Sequence, residues 1–478
     1  MNTMISIFLS ILIYTGLFAQ APDILWTKIF GIDSVYDVGR SVKQTRDGGY
    51  IITGFTEING TNDQDIWLIK TDSQGEILWS KTFGDSLDQS TGSEVLQTAD
   101  EGYVVVGRKT NILSSRTNIW LVKTDSEGDT LWTKNFGDNQ NSSKGYSIKQ
   151  AKDSGYIITG NTGGDILLIK TDENGDSLWT KIFDGNGGIG HSVQQTSDDG
   201  YIMVGVANRT VPTDFNYING DLVLIKTDSY GDTLWTKTYS DSFIKWGNSV
   251  QQTSDDGYII TGLKERSRSR SNYLTDTYLF LVRTDVYGDT LWTKAYRSGD
   301  GVHSHWDEGT SVLQTADNGF IIIGNNFWLI RTDSSGDTLW TKILSPNNPG
   351  NSISKTDDGG YIVTGTRDFN VLLIKISPDI TDVGDNSNSV IENYWLSQNY
   401  PNPFNPSTTI EFTLPRSKFT TLKVYNILGA EVATLVSHKL QSGIHKYTFD
   451  GSKLASGIYY YEIRSGEFRD VKKMILLR

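Results

Sequence analysis

The chain has 478 residues, enough for one large domain and a smaller one, and it contains no cysteine, which excludes a disulfide framework and thiol chemistry. Its formal charge is −13 at pH 7, and because the last 100 residues carry 11 Lys/Arg and 10 Asp/Glu, the part before them carries −14. So acidic a body argues against nucleic acid or an anionic membrane surface as its partner.

The N-terminus predicts a signal peptide over residues 1–20. An apolar stretch from Ile5 to Phe18 is followed by Ala19-Gln20-Ala21, a small-residue pattern typical of cleavage near Ala19. The stretch is too short to span a bilayer comfortably, and no later segment is apolar enough to do so. We therefore expect an exported chain with no transmembrane segment after cleavage.

Residues 24–377 contain a sevenfold repeat that reads roughly SVQQT, DDGGYIITG, DIWLIKTD and SxGDTLWTK. A Leu-Trp step marks each unit at Trp26, Trp79, Trp132, Trp179, Trp235, Trp292 and Trp340. Periods near 50 residues with four short, apolar strands per unit are typical of β-propellers, and no segment has a helical period. The predicted fold is all-β, a seven-bladed propeller with four strands in each blade.

The turns predict which strands are neighbours. Asp125-Ser126-Glu127-Gly128-Asp129 recurs in most units and closes a hairpin between third and fourth strands, since Gly accepts a left-handed backbone. Asp-Gly-Gly or Asp-Asp-Gly joins first to second strands in the same way. Such acidic tracts could also hold calcium, but they lack the alternating D-x-D-x-D-G ligand pattern.

The strand count predicts how the ring closes. The strand Leu25 to Phe30 opens the mature chain, whereas the last unit, Ser352 to Ile376, has only three strands. An open sheet edge favours aggregation. We therefore expect the N-terminal strand to complete the last blade, as in kelch and WD40 arrays, although their signature motifs are absent here.

Two recurring side chains admit two interpretations each. The Trp of each unit could pack between blades or stack on a ligand, and packing is favoured because an aromatic of this size buries so much surface. The recurring Gln could satisfy backbone groups or line a polar channel. It stands at Gln44, Gln97, Gln150, Gln195, Gln252 and Gln314, with Lys355 in the last unit.

Loop lengths place the candidate binding face. Loops after the second and fourth strands vary greatly, from Asn325-Asn326 to Val206–Gly220 and Leu263–Thr277, and variable loops commonly carry function. The predicted ligand-binding residues on this face are Phe215, Tyr217, Trp246, Arg266, Arg268, Arg270, Tyr273, His303, His305 and Trp306. Aromatic and basic groups together suit carbohydrate or protein recognition. The alternative is an ordinary solvated loop surface.

Catalysis and cofactors find little support in the sequence. It contains no G-x-S-x-G, P-loop, zincin or dinucleotide motif, and the spacing in His303-Ser304-His305 is weak evidence for a metal. We predict no enzyme activity, no metal and no cofactor. A polysaccharide lyase or glycoside hydrolase is the rival hypothesis, since two acidic side chains suffice for glycoside chemistry. An enzyme should break the repeat symmetry with acid/base residues at the channel mouth. A passive structural surface protein is the third possibility.

After an Asp-, Asn- and Ser-rich linker over residues 378–393, short strands over residues 394–478 predict a small Ig-like β-sandwich. Its motifs are Leu396-Ser397-Gln398-Asn399-Tyr400-Pro401-Asn402-Pro403-Phe404-Asn405-Pro406, Val424-Tyr425-Asn426-Ile427-Leu428-Gly429, Ala455-Ser456-Gly457-Ile458-Tyr459 and Lys472-Lys473-Met474-Ile475-Leu476-Leu477-Arg478. In this order they closely resemble the type A C-terminal sorting domain of the type IX secretion system.

The resemblance implies a route and a partner. The domain would be recognised by the type IX secretion machinery and direct the chain across the outer membrane to the cell surface or the medium. In the family the domain is commonly removed during export, and the passenger is released or attached to surface glycolipid.

Overall fold

The structure is a computed structural model that describes residues 21–31, 35–58, 63–137, 141–208, 220–240, 243–266, 277–298, 307–379, 394–399, 401–440, 443–466 and 468–477. The chain divides into two compact units, Met1–Val383 and Gly384–Arg478. All regular elements within the described ranges are strands, and no helix capable of crossing a membrane is found there. The predicted signal peptide and linker residues 380–393 lie outside the described residues and stay predictions.

The first unit consists of seven antiparallel sheets of four strands each. The chain begins with β1 (Ile24–Phe30). The first blade contains β2 (Val38–Gln44), β3 (Tyr50–Ile58), β4 (Asp63–Thr71) and β5 (Ile77–Phe83). The second contains β6 (Asp88–Gln97), β7 (Tyr103–Asn111), β8 (Arg116–Thr124) and β9 (Thr130–Phe136). The third contains β10 (Ser143–Gln150), β11 (Tyr156–Thr162), β12 (Asp165–Thr171) and β13 (Ser177–Phe183). The fourth contains β14 (Ile189–Gln195), β15 (Tyr201–Ala207), β16 (Asp221–Thr227) and β17 (Thr233–Tyr239).

The remaining blades follow the same order. The fifth contains β18 (Phe243–Gln252), β19 (Tyr258–Arg266), β20 (Thr277–Thr284) and β21 (Thr290–Tyr296). The sixth contains β22 (Gly309–Gln314), β23 (Phe320–Gly324), β24 (Trp328–Thr332) and β25 (Thr338–Ile343). The seventh contains β26 (Gly350–Lys355), β27 (Tyr361–Arg367) and β28 (Asn370–Ile376), and it takes β1 as its fourth strand.

The ring closes as predicted. β1 pairs antiparallel with β28, with Phe30 opposite Val371 and Ile24 opposite Ile376. The closure extends beyond the strands, because the backbone N–H of Asp23 donates to Ser377 Oγ at 2.9 Å. The predicted seven-bladed propeller, closed by a strand from the far end of the chain, is therefore confirmed.

The acidic turns are closed by their own side chains. Asp125 Oδ1 accepts the backbone N–H of Glu127 at 3.0 Å and of Asp129 at 2.8 Å, while Gly128 has a φ of +81°. This carboxylate is already used by the turn. No cluster of three or more potential metal-ligating side chains occurs in the described part of the chain.

The recurring Trp packs between blades. The ring of Trp79 lies 5.7 Å from that of Tyr103 in the next blade, in an edge-to-face arrangement. Its indole also covers Gly128, where a Cβ would approach to 2.7 Å. Six units repeat this contact, but Trp340 in the sixth blade differs and donates from Nε1 to Asp379 at 3.0 Å. The packing interpretation of the repeat therefore holds.

The C-terminal unit has two antiparallel sheets. Its strands are β29 (Trp395–Leu396), β30 (Ser407–Leu414), β31 (Lys418–Asn426), β32 (Glu431–Leu440), β33 (Gly443–Asp450), β34 (Gly457–Ser465) and β35 (Phe468–Leu476). The sheet orders are β29-β30-β33 and β32-β31-β34-β35. Phe404, Phe412, Tyr461 and Met474 are buried between them. The predicted small sandwich is confirmed.

Candidate functional site at the mouth of the central channel

Every innermost strand of the propeller has a bulge at the same place. The pairing register shifts after a Gly, as between Gly39 and Ser41 in β2, so one extra residue stands opposite no partner. The Gly of the paired second strand is required by close approach, since a Cβ on Gly54 would lie 1.7 Å from the carbonyl oxygen of Val38. Bulges of this kind re-aim a side chain.

The seven bulge residues form a ring, which we call the bulge ring. Its members are Arg40, Ser93, Tyr146, His191, Asn248, Thr310 and Asn351. All seven are half-buried. The Gly before them is the same in every unit and a Ser follows in six of seven, yet the ring residue itself varies among six residue types. The backbone conformation thus repeats in every blade, whereas the side chain at the bulge differs from blade to blade.

Most ring residues also join neighbouring blades. Five of them bond the bulge Gly carbonyl of the next blade; for example, Asn351 Nδ2 donates to Gly39 at 2.6 Å, and His191 Nδ1 lies 2.9 Å from the oxygen of Gly247. Tyr146 packs edge-to-face on His191 at 5.5 Å. Arg40 makes no such bond and instead lies over the ring of Phe55 at 5.4 Å.

A cavity of about 670 Å³ opens at this end of the channel. Its wall includes Arg40, Tyr146, His191 and Asn351 of the bulge ring, the β25–β26 connection (Asn347 to Pro349), and Thr366, Asp368 and Phe369 at the β27–β28 hairpin. The loops that follow the second and fourth strands of the blades therefore lie beside the first residues of the innermost strands at this cavity. The cavity lies on the variable-loop face, as the loop lengths suggested.

An aromatic group borders the cavity at blades seven and one. Tyr36 lies edge-to-face between Phe55, at 5.7 Å, and Phe369, at 5.4 Å. Phe369 is 64% exposed and Tyr36 is 41% exposed. Beside them the Oγ1 of Thr366, a residue only 7% exposed, has no hydrogen-bond partner among the described residues. The cavity thus offers both aromatic surface and an unused buried hydroxyl.

Phe369 has an unfavourable backbone conformation. Its φ is +66° and that of Asp368 is +50°, which is the two-residue hairpin geometry that favours Gly or Asn. The sixth blade has Asn326 and Phe327 at the same turn, again with positive φ, but Phe327 is fully buried against Gly365. Full burial offsets the strain at Phe327, whereas Phe369 is mostly exposed and gains only a partial contact with Tyr36. Backbone strain that packing offsets so little suggests a functional position.

Deeper in the channel, charged side chains depart from the repeat. Where the other units have Ser after the bulge, the second blade has Glu94, which binds Lys149 Nζ at 2.5 Å and lies 3.8 Å from Lys43 Nζ. Glu94 also accepts the backbone N–H of Ile148 at 2.9 Å. Burial alone would raise the pKa of Glu94, but Lys149 and Lys43 together hold this pKa below its usual value.

The recurring Gln residues serve the backbone. Gln97 Oε1 accepts the N–H of Arg46 at 2.9 Å, and Gln44 Oε1 accepts that of Asp357 at 2.7 Å, each bridging to a neighbouring blade. Gln195, Gln252 and Gln314 make the corresponding bonds. Of the two interpretations of this Gln, backbone satisfaction is the one the structure supports.

Most of the predicted ligand-binding residues cannot be placed. Phe215, Tyr217, Arg268, Arg270, Tyr273, His303, His305 and Trp306 lie outside the described residues. Arg266 is the last residue of β19, and Trp246 is half-buried in β18 opposite Leu263. Trp246 is not among the residues that line the 670 Å³ cavity. The binding role of the whole set stays a prediction.

Sequence reasoning missed the bulge ring although a signal was present. Each unit reads Gly, variable residue, Ser or Glu just before its first hairpin, as in Gly39-Arg40-Ser41 and Gly190-His191-Ser192. A variable position between fixed neighbours in a repeat points to a function that the fold does not need. The side chain's direction, however, depends on the bulge, which the sequence pattern does not show.

Comparisons with known proteins address the two units separately. Residues 398–477 match the family described as the secretion system C-terminal sorting domain. A search of curated proteins found no match.

Similar solved structures are β-propellers that cover most of the chain. PorZ, a bacterial surface component of the type IX secretion system of Porphyromonas gingivalis, is 12% identical with a TM-score of 0.43, covering 90% of this chain and 58% of its own. The chain thus spans little more than half the length of PorZ. The WD40 propeller domain of Doa1 is 13% identical with a TM-score of 0.49, and the match covers 73% of this chain and 96% of that domain. BamB from Moraxella catarrhalis is 12% identical with a TM-score of 0.38, and the match covers 77% of this chain and 100% of BamB.

The match and the confirmed sandwich agree with the resemblance seen in the motifs. The sorting domain implies interaction with the type IX secretion machinery. Residues 398–477 are a type IX secretion C-terminal sorting domain that directs the attached seven-bladed β-propeller across the outer membrane, to the cell surface or the medium.

Proposed function

We propose that the exported propeller is a non-catalytic receptor for an extracellular glycan, bound at the channel mouth on the variable-loop face. The observation that carries this proposal is Phe369, an exposed aromatic residue kept in a strained turn at the rim of a cavity. Aromatic faces supply apolar contact area at little entropic cost, and sugars present matching C–H faces.

The cavity has the size and chemistry of a small-ligand site. Its volume of about 670 Å³ lies within the range of roughly 300–1,000 Å³ for such sites. Asn348, Asn351 and Thr366 line the cavity around the aromatic group, and the hydroxyl of Thr366 has no partner in the described residues. Planar amides and hydroxyls can both donate to and accept from sugar hydroxyl groups.

The charges near the cavity favour binding over hydrolysis. Glycoside hydrolysis uses two carboxyl groups, one of which must hold a proton. Asp368 is the single carboxylate among the described residues that line the cavity. Glu94 lies deeper, and its two lysine partners keep it ionised and occupied. These observations support a receptor rather than a glycoside hydrolase.

The test is binding of the full mature chain to a panel of extracellular oligosaccharides, with product analysis of each bound polymer. Phe369→Ala should weaken binding about tenfold or more. The matched control is Leu113→Ala, which removes another exposed apolar side chain, 81% exposed, from the corresponding hairpin of the second blade. Unchanged affinity of Phe369→Ala, cleavage of a bound polymer, or binding to peptides alone would contradict the proposal.

A further inference from the structure

We propose that the glycan is acidic and that its carboxylate is bound by the Arg40 guanidinium. The inference rests on the proposed function and names its ligand class. It follows from a charge at the channel mouth that the fold leaves unbalanced.

Arg40 is a half-buried cation without a carboxylate partner among the described residues. Its guanidinium contacts the face of Phe55 and lines the cavity. Burial lowers the pKa of Arg40, and the positive charge of nearby Arg108 lowers it further. Arg108, in β7, likewise has no carboxylate partner in the described ranges. Arg40 therefore lines the cavity without an ion-pair partner, because the one carboxylate on the cavity wall, Asp368, lies beside Arg367 instead.

The buried cation that recurs in each blade is paired with a carboxylate. Each blade has a buried Lys or Arg on its third strand, and all seven bind an Asp of the same blade's first hairpin, as Lys70 binds Asp47 at 2.8 Å. The other pairs are Lys123–Asp100, Lys170–Asp153, Lys226–Asp198, Arg283–Asp255, Arg331–Asp317 and Lys375–Asp358. The repeat therefore pairs its recurring buried cation in all seven blades, and Arg40, which is the only Arg of the bulge ring, lies outside that pattern.

The channel is positive within an acidic propeller. Its described lining residues include the cations Arg40, Lys43 and Lys149 and the single anion Glu94, a net charge of +2. Residues 1–378 as a whole carry −14. A cleft lined by one sign of charge concentrates ligands of the opposite sign, so the channel mouth should attract anions that the outer surface repels.

The geometry favours a carboxylate on a sugar over a bare phosphate or sulfate. A guanidinium binds a carboxylate and a phosphate alike through two parallel hydrogen bonds, so the preference for a sugar acid comes from the groups around Arg40. Thr366 Oγ1, which has no partner in the described residues, is a neutral group on the same cavity wall that can bond a sugar hydroxyl. The aromatic group is adjacent to the guanidinium, because Arg40 lies over the ring of Phe55 and Tyr36 packs edge-to-face on the same ring.

The experiment compares matched acidic and neutral ligands by calorimetry on the full mature chain. Oligosaccharides ending in glucuronic, galacturonic or sialic acid are each paired with their carboxyl-reduced form. Arg40→Gln should weaken binding of a recognised acidic sugar at least tenfold and leave the reduced form unaffected. Arg116→Gln, which removes an exposed Arg from the β7–β8 hairpin, is the control and should bind like the wild type.

The outcomes separate this inference from the proposed function. Equal binding of acidic and reduced sugars would overturn the carboxylate assignment and leave the glycan receptor standing. Binding of no sugar in the panel would overturn both. Inorganic phosphate or sulfate that competes as well as glucuronate would overturn the choice of carboxylate. Because Arg40→Gln removes an unbalanced charge, its melting temperature without ligand should equal or exceed that of the wild type, which shows that lost binding is not lost folding.

Discussion

Phe369 and Phe327 offer a paired substitution that separates function from packing. Both occupy the second position of a two-residue hairpin with positive φ, Phe369 in the seventh blade and Phe327 in the sixth. Phe327 is 0% exposed and Phe369 is 64% exposed. Replacing either by Gly relieves the same backbone strain and adds the same freedom to the unfolded chain, so the difference between the two variants reports burial.

The size of that difference follows from the buried areas. A fully buried Phe side chain covers roughly 200 Å², so its removal costs about 5 kcal/mol of gross stabilisation at about 25 cal/mol per Å². Phe369, with roughly a third of its surface buried, loses about 2 kcal/mol on the same scale. We therefore expect Phe327→Gly to lower the free energy of unfolding by about 3 kcal/mol more than Phe369→Gly.

Urea unfolding followed by tryptophan fluorescence measures this difference, because only one of the 13 Trp residues, Trp395, lies outside the propeller. Ligand binding should show the opposite order: Phe369→Gly should lose it, and folded Phe327→Gly should retain it. Equal destabilisation by the two substitutions, or retained binding by Phe369→Gly, would refute the interpretation of the strained turn.

The remaining predictions concern the ring, the channel and export. Trp79→Ala should lower the free energy of unfolding of the propeller by about 2–3 kcal/mol, which is less than the loss of a fully buried Trp because the indole of Trp79 is half-buried. A melting temperature equal to that of the wild type would count against inter-blade packing. Glu94→Gln should destabilise the propeller at pH 7 and progressively less below about pH 4.5. A carboxylate whose pKa is depressed in the folded state stabilises that state above its unfolded pKa, and this stabilisation is lost as the pH falls through the folded pKa. A destabilisation that does not change with pH in urea melts would contradict this. Deletion of Tyr394 to Arg478 should leave the propeller in the periplasm, as detected by cell fractionation, and normal surface delivery of the truncated chain would refute the role of the sorting domain.

The architecture could be predicted because the repeat over-determines it. Seven Leu-Trp strands and a last unit short of one strand leave a single closed arrangement, and β1 indeed completes the sheet of β28. The turn Gly residues and the apolar runs agree with this at every unit. The sorting domain was recognisable for a different reason, since its motifs are long and occur in a fixed order.

The candidate site could be predicted only in part. The loop lengths pointed to the face on which this cavity opens, but they drew attention to blades four to six. The cavity wall is formed mainly around blades seven and one, with Tyr146 and His191 from blades three and four. Arg40 and Phe369 were overlooked because each looks ordinary in its own unit. Arg40 is a candidate because it stands at a bulge and has no carboxylate partner among the described residues. Phe369 is a candidate because of its backbone angle and its exposure. Residue types alone show none of these features.

The central claim is that ligand binds at the channel mouth, and hydrogen exchange of the full mature chain with and without a bound acidic oligosaccharide tests it most directly. The account predicts new protection in peptides that cover Tyr36 to Arg40 and Thr366 to Phe369. Protection confined to residues 209–219 and 267–276, with none at the channel mouth, would contradict it.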